Sequence, residues 1–130
     1  MELYKIKINS AGNGWKDEKS TSGTVEAEGE RITVNYSLDG DMCTFSYCGG
    51  KAVQRRRGGQ NIEISFEEGG YTQCVIGEGD LAGAFKVFTR SLIIKRGKGG
   101  FRIILNYESG EDRENIKLQP TAVKSTRGNL

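Results

Sequence analysis

Among its 130 residues the chain has no histidine, a single proline, and three cysteines without a CxxC pair. The missing histidine removes the commonest general base and metal ligand. Ser-His-Asp and Cys-His catalysis and histidine-based zinc sites are thereby excluded. Cys43, Cys48 and Cys74 are odd in number, so they are expected to be free thiols in a reducing cytoplasm rather than a disulfide framework. Composition offers too little apolar residue for a membrane span, with 35% hydrophobic and 28% charged side chains. Met1 leads at once into Leu3-Tyr4-Lys5-Ile6-Lys7-Ile8, with no basic stretch ahead of an apolar one, so no signal peptide is expected. Charge of one sign is also lacking. The 19 basic and 17 acidic residues leave +2, which by itself nominates no polyanion as partner.

Glycine is abundant instead, and it arrives in pairs. Asp39-Gly40, Gly49-Gly50, Gly58-Gly59 and Gly69-Gly70 separate runs of strand length, and Gly77 to Asp80, Gly97 to Gly100 and Ser109 to Asp112 continue the series. Glycine supplies the positive φ that tight hairpin turns require. The runs between are Arg31–Ser37, Met42–Cys48, Lys51–Arg57, Asn61–Glu67, Tyr71–Ile76, Ala82–Thr89, Ser91–Arg96, Phe101–Tyr107 and Glu114–Leu118. Apolar and polar residues alternate along them, as in Ile32, Val34, Tyr36 and in Phe101, Ile103, Leu105, Tyr107. One face of each is therefore buried, and no window carries the helical i, i+3, i+4, i+7 pattern.

Short connections force antiparallel neighbours, and a long open meander would leave two unpaired edges. The expected fold is all-β, a single up-and-down antiparallel β-barrel of 8-10 strands, spanning residues 1–120 with a flexible tail at 121–130. A two-sheet sandwich is the alternative architecture. The polar stretch Ala11–Ser22 around Trp15 is expected to be the one long connection, at a barrel mouth.

Several landmarks in order, Arg56-Arg57-Gly58, Phe66-Glu67-Glu68-Gly69, Gly83-Ala84-Phe85-Lys86-Val87-Phe88-Thr89 with Leu92, and Ile104-Leu105-Asn106-Tyr107, run through the last two-thirds of the chain. In that order the chain resembles the YwiB-like proteins, a bacterial family of unknown function. The resemblance implies a calycin-type, lipocalin-like barrel and almost nothing about activity. Val75–Leu81 departs from the family's pattern, with Ile76-Gly77-Glu78-Gly79-Asp80 where such proteins carry an aromatic residue and a threonine before the glycine.

No catalytic residue, metal site or cofactor is nominated. The carboxylates Glu67-Glu68 and Glu111-Asp112 fall on turns, where adjacent side chains point apart and keep a hairpin tip soluble. Gly77-Glu78-Gly79 and Gly97-Lys98-Gly99-Gly100 precede strands, whereas a phosphate cradle opens a helix. Cys43 shares the apolar phase of Phe45 and Tyr47 and is expected to be a small core residue.

The leading expectation is a non-enzymatic barrel binding a small, partly apolar or anionic ligand in its interior. Hairpin parity places its lining. A two-residue turn at Asp39-Gly40 pairs Tyr36 with Cys43, and one at Gly49-Gly50 pairs Cys43 with Arg56 and Phe45 with Gln54. A three-residue loop Arg57-Gly58-Gly59 then sets Ile62 opposite Gln54 and keeps Ile62, Ile64 and Phe66 inward. Tyr36, Gln54, Arg56, Thr89 and Tyr107 are the candidate ligand-binding residues, with Arg56 inside near one mouth. The alternatives are an RNA- or nucleotide-associated module using Arg55, Arg57, Lys95 and Arg96, with Tyr4, Trp15 or Tyr71 for stacking, and a structural protein with a filled barrel.

Overall fold

In the computed structural model, residues 3–12, 15–59, 61–77, 83–97, 100–109 and 114–124 are described, and no helix occurs among them. The strands are β1 (Leu3–Gly12), β2 (Trp15–Glu28), β3 (Arg31–Leu38), β4 (Asp41–Cys48) and β5 (Lys51–Arg57), followed by β6 (Ile62–Glu67), β7 (Tyr71–Ile76), β8 (Gly83–Gly97), β9 (Gly100–Ser109) and β10 (Glu114–Lys124). Each pairs antiparallel with its neighbour in sequence, and β1 also pairs with β10, so the curled sheet returns to its first strand.

Alternation decides which way each side chain points. Ile32, Val34 and Tyr36 from β3, Cys43 and Phe45 from β4, Phe66 from β6, and Ile103, Leu105 and Tyr107 from β9 are buried in one core. The Asp39-Gly40 turn has both residues at positive φ, 51° and 85°. That suits the two-residue hairpin twist and fixes the expected pairs Tyr36–Cys43 and Val34–Phe45. Gly49-Gly50 likewise fixes Phe45–Gln54 and Cys43–Arg56.

Four expectations are corrected. Ala11–Ser22 is not a connection. Trp15–Ser22 lies within β2 and β1 reaches Gly12, with Ile8 opposite Lys19 and Gly12 opposite Trp15. Its serines, threonine and charges conceal a strand because part of its length has no β3 neighbour; β2 meets β3 only over Gly23–Glu28. The chain beyond Pro120 is also sheet. β10 continues to Lys124, with Lys124 opposite Tyr4, while its ladder to β9 lapses at Gln119 and Pro120 and resumes at Thr121 in the same register. Proline lacks the N–H such a rung needs. Residues 125–130 lie outside the described residues.

The two expected strands Ala82–Thr89 and Ser91–Arg96 are, over the described residues from Gly83, the single strand β8. A bulge at Arg90 shifts the register between Thr89 and Ser91, which bends and twists the strand without ending it. Beyond the bulge Glu68 accepts the Leu92 N–H at 3.4 Å, so this turn carboxylate terminates a sheet edge besides solvating a tip. Lastly, Ile62 pairs with Arg56 and Ile64 with Gln54. The connection 57–61 is two residues longer than the expected loop, and the equal parity keeps both rows inward.

The two rims differ. At the rim formed by the β2–β3, β4–β5 and β8–β9 turns, Ile32 and Phe66 are fully buried, Phe101 packs on Tyr4, and Arg96 donates to the Gly29 carbonyl at 3.0 Å. At the opposite rim, Ile76 and Phe85 hold inward positions beside Ile62 and Cys74, yet they are 41% and 48% exposed. An inward position that stays wet marks an open mouth.

Candidate functional site

The open rim is organised by a carboxylate that begins a strand. Asp41 is the first residue of β4, two residues before Cys43, so parity turns it inward. Its side chain is 8% exposed. Arg56 Nε donates to Asp41 Oδ2 at 2.6 Å, and the Gly59 N–H donates to Asp41 Oδ1 at 2.7 Å. The carboxylate thus holds the arginine and the 57–61 connection together. Gly58 completes the clamp: its φ of 145° suits glycine, and a Cβ there would run into the Asp41 carboxylate.

This places Arg56 where hairpin parity put it, inward and near one mouth, with the partner a partly buried guanidinium requires. The Asp41 hydrogen bond raises the Arg56 pKa above its ordinary value, against an opposing cost of burial. Among the described residues its two terminal amino groups make no hydrogen bond, and the side chain is 26% exposed. A planar fork held by its Nε edge with the other edge free is suited to an oxyanion.

Gln54 and Tyr36 join Arg56 on the same wall. Gln54 Nε2 donates to the Tyr36 hydroxyl at 3.1 Å. Burial pushes the Tyr36 pKa up to about 12, and nearby Cys43 adds to the shift. Cys43 is itself raised by burial, which outweighs the lowering influence of Arg56, so it is a core thiol rather than a nucleophile. Lys19, inward on β2, forms an ion pair with Asp39 at the same rim, and that hydrogen bond raises its pKa.

Thr89 and Tyr107 form a second inward set, opposite one another on β8 and β9. Thr89 is fully buried, and its hydroxyl lacks a hydrogen-bond partner among the described residues. Tyr107 packs edge-on to Phe66 at 5.1 Å, and burial raises its pKa to about 12. No described contact joins this pair to Arg56. The candidate set is therefore two groups sharing one interior.

A pocket of about 150 Å³ opens at the rim, lined by Arg55, Arg56, Arg57, Asn61, Ile62, Glu63, Val75 and Gly77. Arg55 is ion-paired with Glu63, while Arg57 has no ion-pair partner among the described residues. Asn61 accepts from the Gly77 N–H through its carbonyl at 2.8 Å and from the Gly58 N–H through Oδ1 at 3.4 Å. Its side-chain amide N–H groups remain as donors. Lys95 and Arg96 lie elsewhere. They sit at the opposite end of β8, so the two basic clusters occupy opposite rims. Among the stacking candidates, Tyr4 packs on Phe101 and Tyr71 is 69% exposed.

The residues missed in the sequence were Asp41, Lys19, Gly58 and Asn61. Asp41 was discoverable, because it shares the parity of Cys43 and Phe45. The others depend on the path of the 57–61 connection and on reading β2 as a strand.

The architecture is that of an all-β, up-and-down antiparallel protein. The crystal structure of the ywiB protein from Bacillus subtilis shares it, at TM-score 0.83 over 96% of this chain and 93% of that one, with 15% sequence identity. The resemblance to YwiB-like proteins is thus matched by a shared all-β antiparallel fold. No protein-family model and no curated protein matches the sequence.

Proposed function

We propose that this chain is a non-enzymatic, lipocalin-like binding protein that holds a small, partly apolar, singly charged anion at its open rim. The carrying observation is the Arg56 guanidinium, held by buried Asp41 with its two terminal amino groups left toward a pocket. Preorganised donors cost little ordering on binding. Arg57 and the Asn61 amide add donors, while Ile62 and Val75 supply apolar wall, continued on the inward side by Ile76 and Phe85.

Charge sets the ligand class. Arg55, Arg56 and Arg57 face one lining carboxylate, Glu63, and Asp41 stands behind Arg56. One positive charge remains uncompensated, which matches a carboxylate or a phosphodiester better than a doubly charged phosphate. Size agrees, since a pocket of about 150 Å³ has room for several waters at roughly 10 to 15 Å³ each, enough for a small anion. The three free thiols support a reducing compartment. No described helix is long and apolar enough to cross a membrane.

The test is calorimetric titration with butyrate, alongside native mass spectrometry of the purified protein. Millimolar or tighter binding is expected, at least tenfold weaker in Arg56→Gln and partly restored in Arg56→Lys, which keeps the charge and loses the fork. Equal butyrate binding by wild type and Arg56→Gln would remove the proposal.

A further inference from the structure

On the outer face, which shares Arg55, Arg57 and Glu63 with the rim pocket, an aromatic pair and a lysine lie beyond that pocket and are left unused by it. On the outer face of β5–β8, Tyr71 of β7 and Phe88 of β8 stand opposite each other with ring centroids 5.0 Å apart, tilted by 51°. Tyr71 is 69% exposed. Lys86 places its ammonium over the Tyr71 ring, 5.5 Å from the centroid. The other close aromatic pairs among the described residues, Tyr4–Phe101 and Phe66–Tyr107, belong to the inward rows. Arg96 also stands over the Phe101 ring, 5.9 Å from its centroid, but Tyr4 and Phe101 are inward and only partly exposed, whereas the Tyr71 ring under Lys86 is open to solvent.

Its surroundings are basic. Outward parity along β5 gives Lys51, Arg55 and Arg57; along β6 it gives Glu63 and Glu67; along β8 it gives Lys86. Four cations face two carboxylates, and Arg90 at the bulge is ion-paired with Glu108. Register fixes the spacing. Arg55 lies opposite Glu63 and Glu63 opposite Val75, so Tyr71 is two strands across and four residues along from Arg55. With strands about 4.8 Å apart and a rise of about 3.3 Å per residue, Arg55 is about 16 Å and Arg57 about 22 Å from the aromatic shelf.

We propose that this outer face binds single-stranded nucleic acid, a base stacking on Tyr71 and Phe88 while Lys86, Arg55 and Arg57 follow the phosphates. The chemistry is that of stacking platforms beside a cationic track, which accept any base because every base has a π face. Sheet curvature leaves the shelf convex and open, which suits a flexible single strand. A duplex hides its π faces and offers the shelf nothing.

The test is fluorescence anisotropy with labelled ten-nucleotide oligo(dT) and oligo(U), with a duplex of the same length, at 50 mM salt and above. Single strands are expected to bind in the micromolar range, with log Kd rising against log salt at a slope of about 2, as for three phosphate contacts. Tyr71→Ala should weaken binding about tenfold and Tyr71→Trp should restore it. Lys86→Ala should lower the salt slope, and Lys95→Ala, seven residues beyond Phe88 along β8, should leave binding unchanged. Tyr71 is exposed, so its substitution leaves the core intact, and circular dichroism verifies this. Absence of single-strand binding at 50 mM salt, equal affinity for the duplex, or indifference to Tyr71→Ala would each overturn the proposal. Butyrate binding at the rim is read separately and survives any of these results.

Discussion

The five short strands β3–β7 and the five long strands β8, β9, β10, β1 and β2 solve the same problem differently. The short half runs 6 to 8 residues per strand, and its first two hairpins turn on two residues at positive φ. The long half runs 10 to 15 residues per strand, carries a bulge and a mid-strand proline, and projects beyond its partners. Tight turns fix register, and fixed register brings Tyr36, Cys43, Gln54, Arg56 and Asp41 onto one wall. Long strands buy no such fixity from their turns; they bend around the core, and on β8 the inward Thr89 hydroxyl is left without a hydrogen-bond partner among the described residues.

The sharpest way to break the comparison is to remove the carboxylate on which the short half's site is built. Asp41→Ala leaves the Arg56 guanidinium and the Gly59 N–H without their acceptor. Losing one partner of a buried pair costs about 3 to 5 kcal/mol, and partial exposure of Arg56 brings the expected loss down to about 3 kcal/mol in urea unfolding. A loss below about 1 kcal/mol would show that the clamp is a surface ion pair.

Alkaline titration compares the halves through one tyrosine each. Burial holds Tyr36 and Tyr107 at about 12, above the ordinary value near 10. The stability due to their neutral forms is complete below pH 10 and lost as pH rises through 12. Each contributes on the order of 2 kcal/mol to that decline. Unfolding followed from pH 9 to 12 should show it, with half removed in either Tyr→Phe variant. A flat profile would mean that these rings are hydrated.

Near pH 7 the same two substitutions should part. Tyr36→Phe strips Gln54 of its acceptor and should cost about 1 kcal/mol, whereas Tyr107→Phe removes a hydroxyl with no described hydrogen bond and should be near neutral. Thr89→Val, close in shape and without the orphan hydroxyl, should gain about 1 kcal/mol. Destabilisation of similar size would mean that a buried water satisfies Thr89.

The halves also differ in how much of them was legible. In the short half, glycine pairs and two-residue alternation determine strands, registers and the inward placement of Arg56, because each local signal has one geometrical solution. The pairing of Ile62 with Arg56 escaped, since glycines mark a turn without stating its length, and Asp41's grip on Gly59 sets the path. In the long half, Lys16 to Ser22 hide a strand in polar residues, Arg90 turns an apparent break into a bulge, and Pro120 mimics an end. Strands that meet solvent on part of both faces lose the alternation that reveals strands. The ligand groove was half legible: Arg56 follows from parity, but the donors of Arg57 and Asn61 meet it only through the fold of 57–61.

Whether the open rim is a preformed anion site can be asked directly by following backbone amide and arginine Nε–H signals in two-dimensional nitrogen–proton NMR during titration with butyrate. Arg56 Nε–H should be resolved and slow to exchange before any ligand is added, as its bond to Asp41 requires. Signals of Arg57, Asn61 and Gly77 should then move saturably, while Lys95, Arg96 and Gly97 at the closed rim stay still. An exchange-broadened Arg56 Nε–H in the free protein, or equal shifts at both rims, would contradict the preformed site.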